Sequence, residues 1–298
     1  MKNTNVLAWT LLILLALIWG SSFILIKRGL AVFNAGEVGA LRILAACLFL
    51  IPVSIPKVGK LSFKHLKLLF IIGLVGSFIP AFLFAIGQTR LPSGVTGVLN
   101  ALTPIFVLIM GVIFFKQEIT KRKTFGLITA FVGTVVLLAA GSVGGLRGIN
   151  FYALFIVLAT ICYGVNLNVI KYYLADLKPL VITSVSLLFM GPLAGIYLLT
   201  FTDFSVTLAT KEGALEAFGY ISLLGVMGTA IALILFNKLV QITNPLFTST
   251  VTYLIPIVAL IWGFWDGEDL GLGQVIGMLA IFVGVYITNK KKSISKKN

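Results

Sequence analysis

The chain has 298 residues, 59% of them apolar and 11% charged, with a net charge of +14. A water-soluble domain carries about 25% charged residues, and a chain this apolar would expose large patches to water. The composition excludes a soluble globular protein and points to an integral membrane protein whose apolar side chains are solvated by lipid.

Ten apolar segments follow one another, at roughly 6–26, 38–56, 66–86, 94–115, 125–141, 150–170, 179–200, 217–236, 246–265 and 273–289. Their lengths, about 17 to 22 residues, suit helices crossing a hydrocarbon core of about 30 Å. Backbone polar groups find no water at that depth, so the predicted fold is all-α, with ten transmembrane helices.

The first span holds LIWGSSFILIKRG, Leu17 to Gly29. Lys2 followed by an apolar run has the outline of a signal peptide. The run is too long for one, however, lacks a small-x-small cleavage site and has a counterpart deep in the chain, so a retained helix is predicted. Trp19 and Ser22 are three residues apart and share a face. Trp19 sits well inside the span, which favours a cavity wall over an interfacial aromatic belt; Ser22 is either a cavity hydroxyl or a small residue at a helix contact.

In the second span Arg42 is the only basic residue well inside a span. Glu37, at the span's edge, is its expected partner in a structural or gating ion pair, with a substrate carboxylate as the alternative. The fourth span carries Asn100, Thr103 and Pro104, and the ninth Thr252, Tyr253 and Pro256. Proline cannot bond the carbonyl four residues back, here that of Asn100 or Thr252. Each helix is expected to present a polar side chain beside a released acceptor, either at a binding site or at a plain kink. In the sixth span, ICYGVNLNVIKYY brings Tyr163 and Asn166 to the positions of Trp19 and Ser22. Asn168 cannot share the face of Asn166, so one of the two is expected to bind helices together. Small residues on the fifth and tenth spans (Gly126, Ala130, Gly133; Gly273, Gly277, Ala280, Gly284) point to close helix packing.

These correspondences are regular. Trp19-Gly20 and Ile26-Lys27 match Tyr163-Gly164 and Ile170-Lys171 at an offset of 144. Gly73, Gly76, Phe84, Leu102, Pro104 and Gly111 match Gly225, Gly228, Phe236, Leu254, Pro256 and Gly263 at 152; Gly126 and Gly133 match Gly277 and Gly284 at 151. Two five-helix copies are predicted, at 1–141 and 142–298. An odd number of spans per copy places them in opposite orientations, as two inverted repeats.

With the N-terminus inside and alternating sides, seventeen Lys and Arg fall inside and five outside. This bias predicts a plasma-membrane protein with both termini cytoplasmic and the basic tail KKKSISKK against anionic lipid headgroups, not on nucleic acid. Cys47 and Cys162 lie within spans as packing residues, and His65 alone makes no metal site; neither metal nor cofactor is expected. Gly271-x-Gly273-x-x-x-Gly277 has the wrong spacing for a dinucleotide loop. No acid lies near a predicted midplane. That favours facilitated diffusion or exchange over proton coupling, and a neutral or zwitterionic amphipathic solute over a cationic one.

WGSSFILIK, ALRILAACLFL, LTPIFVLIMGVIFFKQE and YLIPIVALIWGFWDGEDLGLGQVIGMLAIFVGVYI, in this order across two copies, resemble the EamA-type transporters of the drug/metabolite transporter superfamily. The resemblance spans almost the whole chain. It implies a non-enzymatic secondary carrier that moves small organic solutes, such as amino acids, by alternating access, with export as the expected direction. It also implies a central site lined by spans 1, 3, 4, 6, 8 and 9, where Phe84, Gln88 and Phe236 would complete the lining. Glu118 and Glu268 stand at different distances from the glycines that follow them and receive no role. A lipid-modifying membrane enzyme would need an intramembrane Ser/His pair, paired acids or metal ligands, and none is visible. A non-transporting scaffold would not need matched polar groups at mid-membrane. The oligomeric state is left open, a monomer being compatible.

Overall fold

The computed structural model describes residues 2–116, 120–140, 150–243, 248, 251–267 and 271–289. Glu118, Arg147, Glu268, Asp269 and the basic tail lie outside them. Among the described residues the chain is helical and has no strand. Seven helical stretches are long and apolar enough to cross a membrane: Val6–Leu30, Ala35–Val58, Phe63–Gln88, Ser93–Phe115, Ala153–Tyr173, Pro179–Thr200 and Ala214–Ile242. Shorter apolar stretches lie at Thr124–Gly133, Leu254–Trp265 and Val275–Gly284. The outer surface is studded with exposed apolar side chains, among them Trp9, Leu48, Phe131, Leu199 and Phe264. Water would not tolerate that surface, and lipid does. The protein is a multi-pass membrane protein.

The helices are α1 (Lys2–Leu30), α2 (Ala35–Val58), α3 (Phe63–Gly73), α4 (Ile79–Gln88), α5 (Ser93–Asn100), α6 (Thr103–Phe115), α7 (Lys121–Ala140), α8 (Ala153–Tyr173), α9 (Pro179–Thr200), α10 (Phe204–Thr210), α11 (Ala214–Leu223), α12 (Ala232–Ile242), α13 (Val251–Trp265) and α14 (Leu272–Asn289). Two spans are widened by π-helical turns, Leu74–Phe78 between α3 and α4 and Leu224–Ile231 between α11 and α12. Just beyond the first, Pro80 in the opening turn of α4 cannot donate to the carbonyl of Gly76, so the ladder must slip there. The second contains no proline.

Sequence chemistry explains several helix ends. Asn34 caps α2: its side chain accepts from the Glu37 amide (2.9 Å), and the Glu37 carboxylate accepts from the Asn34 amide (2.8 Å). This reciprocal capping box holds Glu37 at the helix start. Ser62 caps α3 through the His65 amide. The fourth span breaks at 101–102, because Pro104 belongs to the first turn of a new helix, where its missing amide costs nothing. The ninth behaves differently: α13 runs through Pro256 without interruption. The matched pair of breaks expected at the two prolines is therefore present only in the first half.

Helix contacts recur at equivalent positions. A β-carbon on Gly73 would lie 2.6 Å from the Ser186 carbonyl oxygen, and one on Gly225 would lie 2.5 Å from that of Arg42. One on Gly164 would strike the Phe106 backbone at 2.8 Å, and one on Gly20 the Val258 side chain at 2.4 Å. All four pairs map onto one another through the sequence offsets of 144 and 152. Only a residue without a β-carbon permits such approach. α7 and α14 pack in the same way through Gly133 and Gly284. Cys47 and Cys162 are free thiols, and Cys47 packs on Gly191.

The bundle has two distinct ends. At one, Asp266 pairs with Lys27 and Arg28, and the Lys211 ammonium donates to the Val32 carbonyl (2.6 Å). At the other, His65 meets Asp176 (3.1 Å) and Gln241 donates to the Leu177 carbonyl (3.0 Å). Lys171, in the last turn of α8, lies at this second end, so the sequence-equivalent Lys27 and Lys171 sit at opposite ends.

Candidate functional site

At the centre of the bundle the helices leave a cavity. It is lined by α1 (Trp19, Ser22, Phe23, Ile26), α2 (Arg42), the first π turn and α4 (Gly76, Ser77, Phe84), α5 and α6 (Asn100, Thr103, Pro104, Val107), α8 (Tyr163, Asn166, Leu167), the second π turn and α12 (Gly228, Thr229, Leu233, Phe236), and α13 (Thr252, Ile255). It offers about 110 Å³ to the centres of water-sized molecules. One water needs about 10–15 Å³ by the same measure, so there is room for an organic solute. A side pocket of about 20 Å³ shares Gly76, Ser77, Asn166 and Phe236 with it. That pocket continues between Ile170, Thr183, Ser186 and Asn237 toward the His65–Asp176 end.

Aromatic rings dominate the wall. Trp19 packs on Phe236 with centroids 5.1 Å apart, Phe84 stacks on Tyr163 at 6.0 Å, and Phe23 meets Phe84 at 5.8 Å. The Trp19 indole N–H donates to the Gly228 carbonyl (2.9 Å). The second π turn thus supplies the acceptor that a buried indole requires. Trp19 lines the cavity and is not part of an interfacial belt.

The polar groups divide into those already used by the protein and those open to the cavity. Ser22 donates to its own helix at Ile18 (2.9 Å). The carbonyl of Asn100, expected to be released by Pro104, is taken by the Thr103 hydroxyl (2.8 Å), which also approaches the Asn100 side-chain oxygen (3.4 Å). The Asn100 side-chain NH₂, the Asn166 amide and the Tyr163 hydroxyl make no hydrogen bond among the described residues and line the cavity, where Tyr163 lies within electrostatic reach of Arg42. Asn168 is the helix-binding member of its pair: its NH₂ donates to the Val107 and Gly164 carbonyls (both 2.9 Å).

The remaining expectations lie elsewhere. Gln88 is outside the cavity, where it donates to the Phe23 carbonyl (2.8 Å) and ties α4 to α1. Its position at the end of the span explains this. Pro256 is not among the lining residues, and the Tyr253 side chain is outside the described residues. The expected Glu37–Arg42 pair does not form. Five residues along a helix turn the side chain by about 140°, so the two occupy different faces. Glu37 is spent on the capping box, and the Arg42 Nε donates to the Thr229 hydroxyl (2.7 Å) on the cavity wall.

Sequence reasoning missed Ser77 and Thr229, both buried wall residues. They are 152 apart and directly follow Gly76 and Gly228, so the repeat could have found them. Arg42 also brings the second span into the lining. Among the described residues, no group of three His, Cys, Asp or Glu is placed to hold a metal, and no carboxylate lines the cavity.

Different chemistry ties the helices together at the two ends. On one side α1 meets α13 through the Lys27/Arg28–Asp266 cluster and through the Trp262 indole donating to Ser21 (2.8 Å). On the other, α8 meets α6 by stacking of Phe115 on Tyr172, with centroids 4.2 Å apart.

Comparison with known proteins places this geometry. The model of the EamA-like transporter family matches residues 7–139 and again 150–290. An uncharacterized transporter of Archaeoglobus fulgidus is 28% identical over 95% of this chain and 99% of its own. The uncharacterized transporter YyaM of Bacillus subtilis is 24% identical over 100% and 98%. A solved crystal structure has the same fold, with a TM-score of 0.64 at 14% identity over 96% of each chain.

Proposed function

Because the chain belongs to the EamA-like transporter family, we propose that it is a secondary carrier that moves small organic solutes across the plasma membrane by alternating access. The observation that carries the reading is the central cavity. Its open polar groups, Asn100, Tyr163 and Asn166, face aromatic walls from both halves of the chain. This combination suits an amphipathic solute, an amino acid or a similar neutral or zwitterionic metabolite.

Alternating access requires two halves that can rock about a shared site. Family matches to both halves, equivalent glycine contacts and the placement of Lys27 and Lys171 at opposite ends support two inverted five-helix units. The excess of Lys at the His65–Asp176 end supports a cytoplasmic position for it, and with it cytoplasmic termini. The side pocket leads toward that end, which supports loading from inside and export. The absence of a carboxylate from the cavity wall among the described residues supports facilitated diffusion or exchange over proton coupling.

The test is solute flux in proteoliposomes with and without a pH gradient. Wild-type protein is expected to move an amphipathic amino acid regardless of the gradient, and Asn100→Ala or Asn166→Ala at normal membrane abundance is expected to lose flux. Undiminished flux in both variants would remove the cavity as the site.

A further inference from the structure

Arg42 has no use in the fold commensurate with its cost. A cation inside the bilayer is retained only with compensation from an anion or strong acceptors. Its contacts are neutral groups: Nε donates to the Thr229 hydroxyl, and the Tyr163 phenol lies within electrostatic reach. Its two terminal nitrogens have no hydrogen-bond or carboxylate partner among the described residues. Among the described residues it is also the only charged one on the cavity wall, which otherwise consists of rings, aliphatic groups, hydroxyls and amides. The repeat sharpens the point. At the offset of 144 the counterpart of Arg42 is Ser186, so the two-copy architecture does not require a cation here.

We propose that Arg42 is the anchor for a substrate carboxylate, and that the cavity takes an organic carboxylate, zwitterionic or anionic, with an aromatic or bulky apolar body. The guanidinium presents a planar fork of N–H donors that matches a carboxylate. Thr229, by occupying Nε, orients that fork and leaves the terminal nitrogens to the ligand. The body of the solute lies against Trp19, Phe84, Tyr163 and Phe236, two aromatic pairs on the cavity wall. Among the described residues the wall provides no carboxylate for a substrate ammonium. An amino acid is therefore held by its carboxylate, its ammonium meeting only neutral groups, and a simple carboxylic acid of the same shape binds at least as well. An amine without a carboxylate is repelled.

This assignment rests on the carrier reading, and the experiment separates the two. Wild-type protein in nanodiscs is titrated calorimetrically with 3-phenylpropanoate, 3-phenylpropanamide, L-phenylalanine and phenethylamine, with empty nanodiscs as control. The same preparation in proteoliposomes is assayed for L-phenylalanine flux. The carboxylate is expected to bind about 10- to 100-fold more tightly than the isosteric amide, the range expected when a neutral hydrogen bond becomes a charged one. Phenethylamine is expected not to bind. In Arg42→Gln the preference for carboxylate over amide is expected to vanish, and in Arg42→Lys to be reduced. Equal binding of carboxylate and amide to wild-type protein would overturn the assignment without recourse to any variant, as would a preference that survives Arg42→Gln. Flux of L-phenylalanine without a carboxylate preference would overturn the anchor and leave the carrier. A clear preference with no flux would uphold the anchor and overturn the carrier.

Discussion

Asp266→Asn offers a direct measure of the closure between α1 and α13. Asp266 is 14% exposed and holds Lys27 and Arg28 at 2.5 Å each, but the two cations are 39% and 56% exposed. Solvent screens such pairs heavily, so each contributes about 0.2–1 kcal/mol and the cluster about 0.4–2 kcal/mol. If the cluster exists only while this end is shut, its loss shifts the balance toward opening by about two- to thirtyfold. The readout is the rate at which a membrane-impermeant maleimide labels Ser22→Cys from that side, in a background where Cys47 and Cys162 are replaced by Ala. Ser22 lies five residues below Lys27 on the cavity wall, roughly 7.5 Å along the helix. Labelling is expected to rise in Asp266→Asn at low salt, and the difference from the parent to shrink at 1 M salt, where charges are screened within about 3 Å. An unchanged rate at low salt, or a rise from the opposite side, would refute the argument.

Three further outcomes are expected. Trp19→Phe keeps an aromatic ring against Phe236 but orphans the Gly228 carbonyl, and thermal unfolding in detergent is expected to show a loss of about 1 kcal/mol. Gly164→Ala places a β-carbon 2.8 Å from the Phe106 backbone, which cannot rotate away, and should cost about 1–3 kcal/mol in the same assay, whereas Gly59→Ala, with nothing within 4 Å, should cost far less. Gly76→Ala directs its methyl group onto the Asn166 amide at 2.5 Å and is expected to weaken solute binding more than it lowers thermal stability, as separate titration and melting curves would reveal.

The residue pattern alone determined much of this protein. Apolar runs of membrane length dictate lipid-embedded helices because an unpaired backbone group in hydrocarbon is too costly. Matched positions 144 and 152 apart nominated Trp19, Ser22, Asn100, Tyr163, Asn166 and Thr252, the neighbouring proline added Thr103 and the family resemblance Phe84 and Phe236, and the fold gathers all of them around one cavity. Patterns of this kind survive in a linear reading because they depend on a residue's own helix face.

Tertiary structure decided which partner each polar group takes. Gln88 was drawn into a tie with Phe23, the Asn100 carbonyl was taken by Thr103, and Glu37 was committed to its own helix start. Arg42 was left facing the cavity, beside a threonine 187 residues away that no local pattern connects to it. Hydrogen bonds are short and directional, so a group's role depends on what the packing of other helices brings within about 3 Å. Spacing along the chain cannot convey that distance, and here it separates an arginine read as half of a structural ion pair from one that lines the cavity beside Thr229.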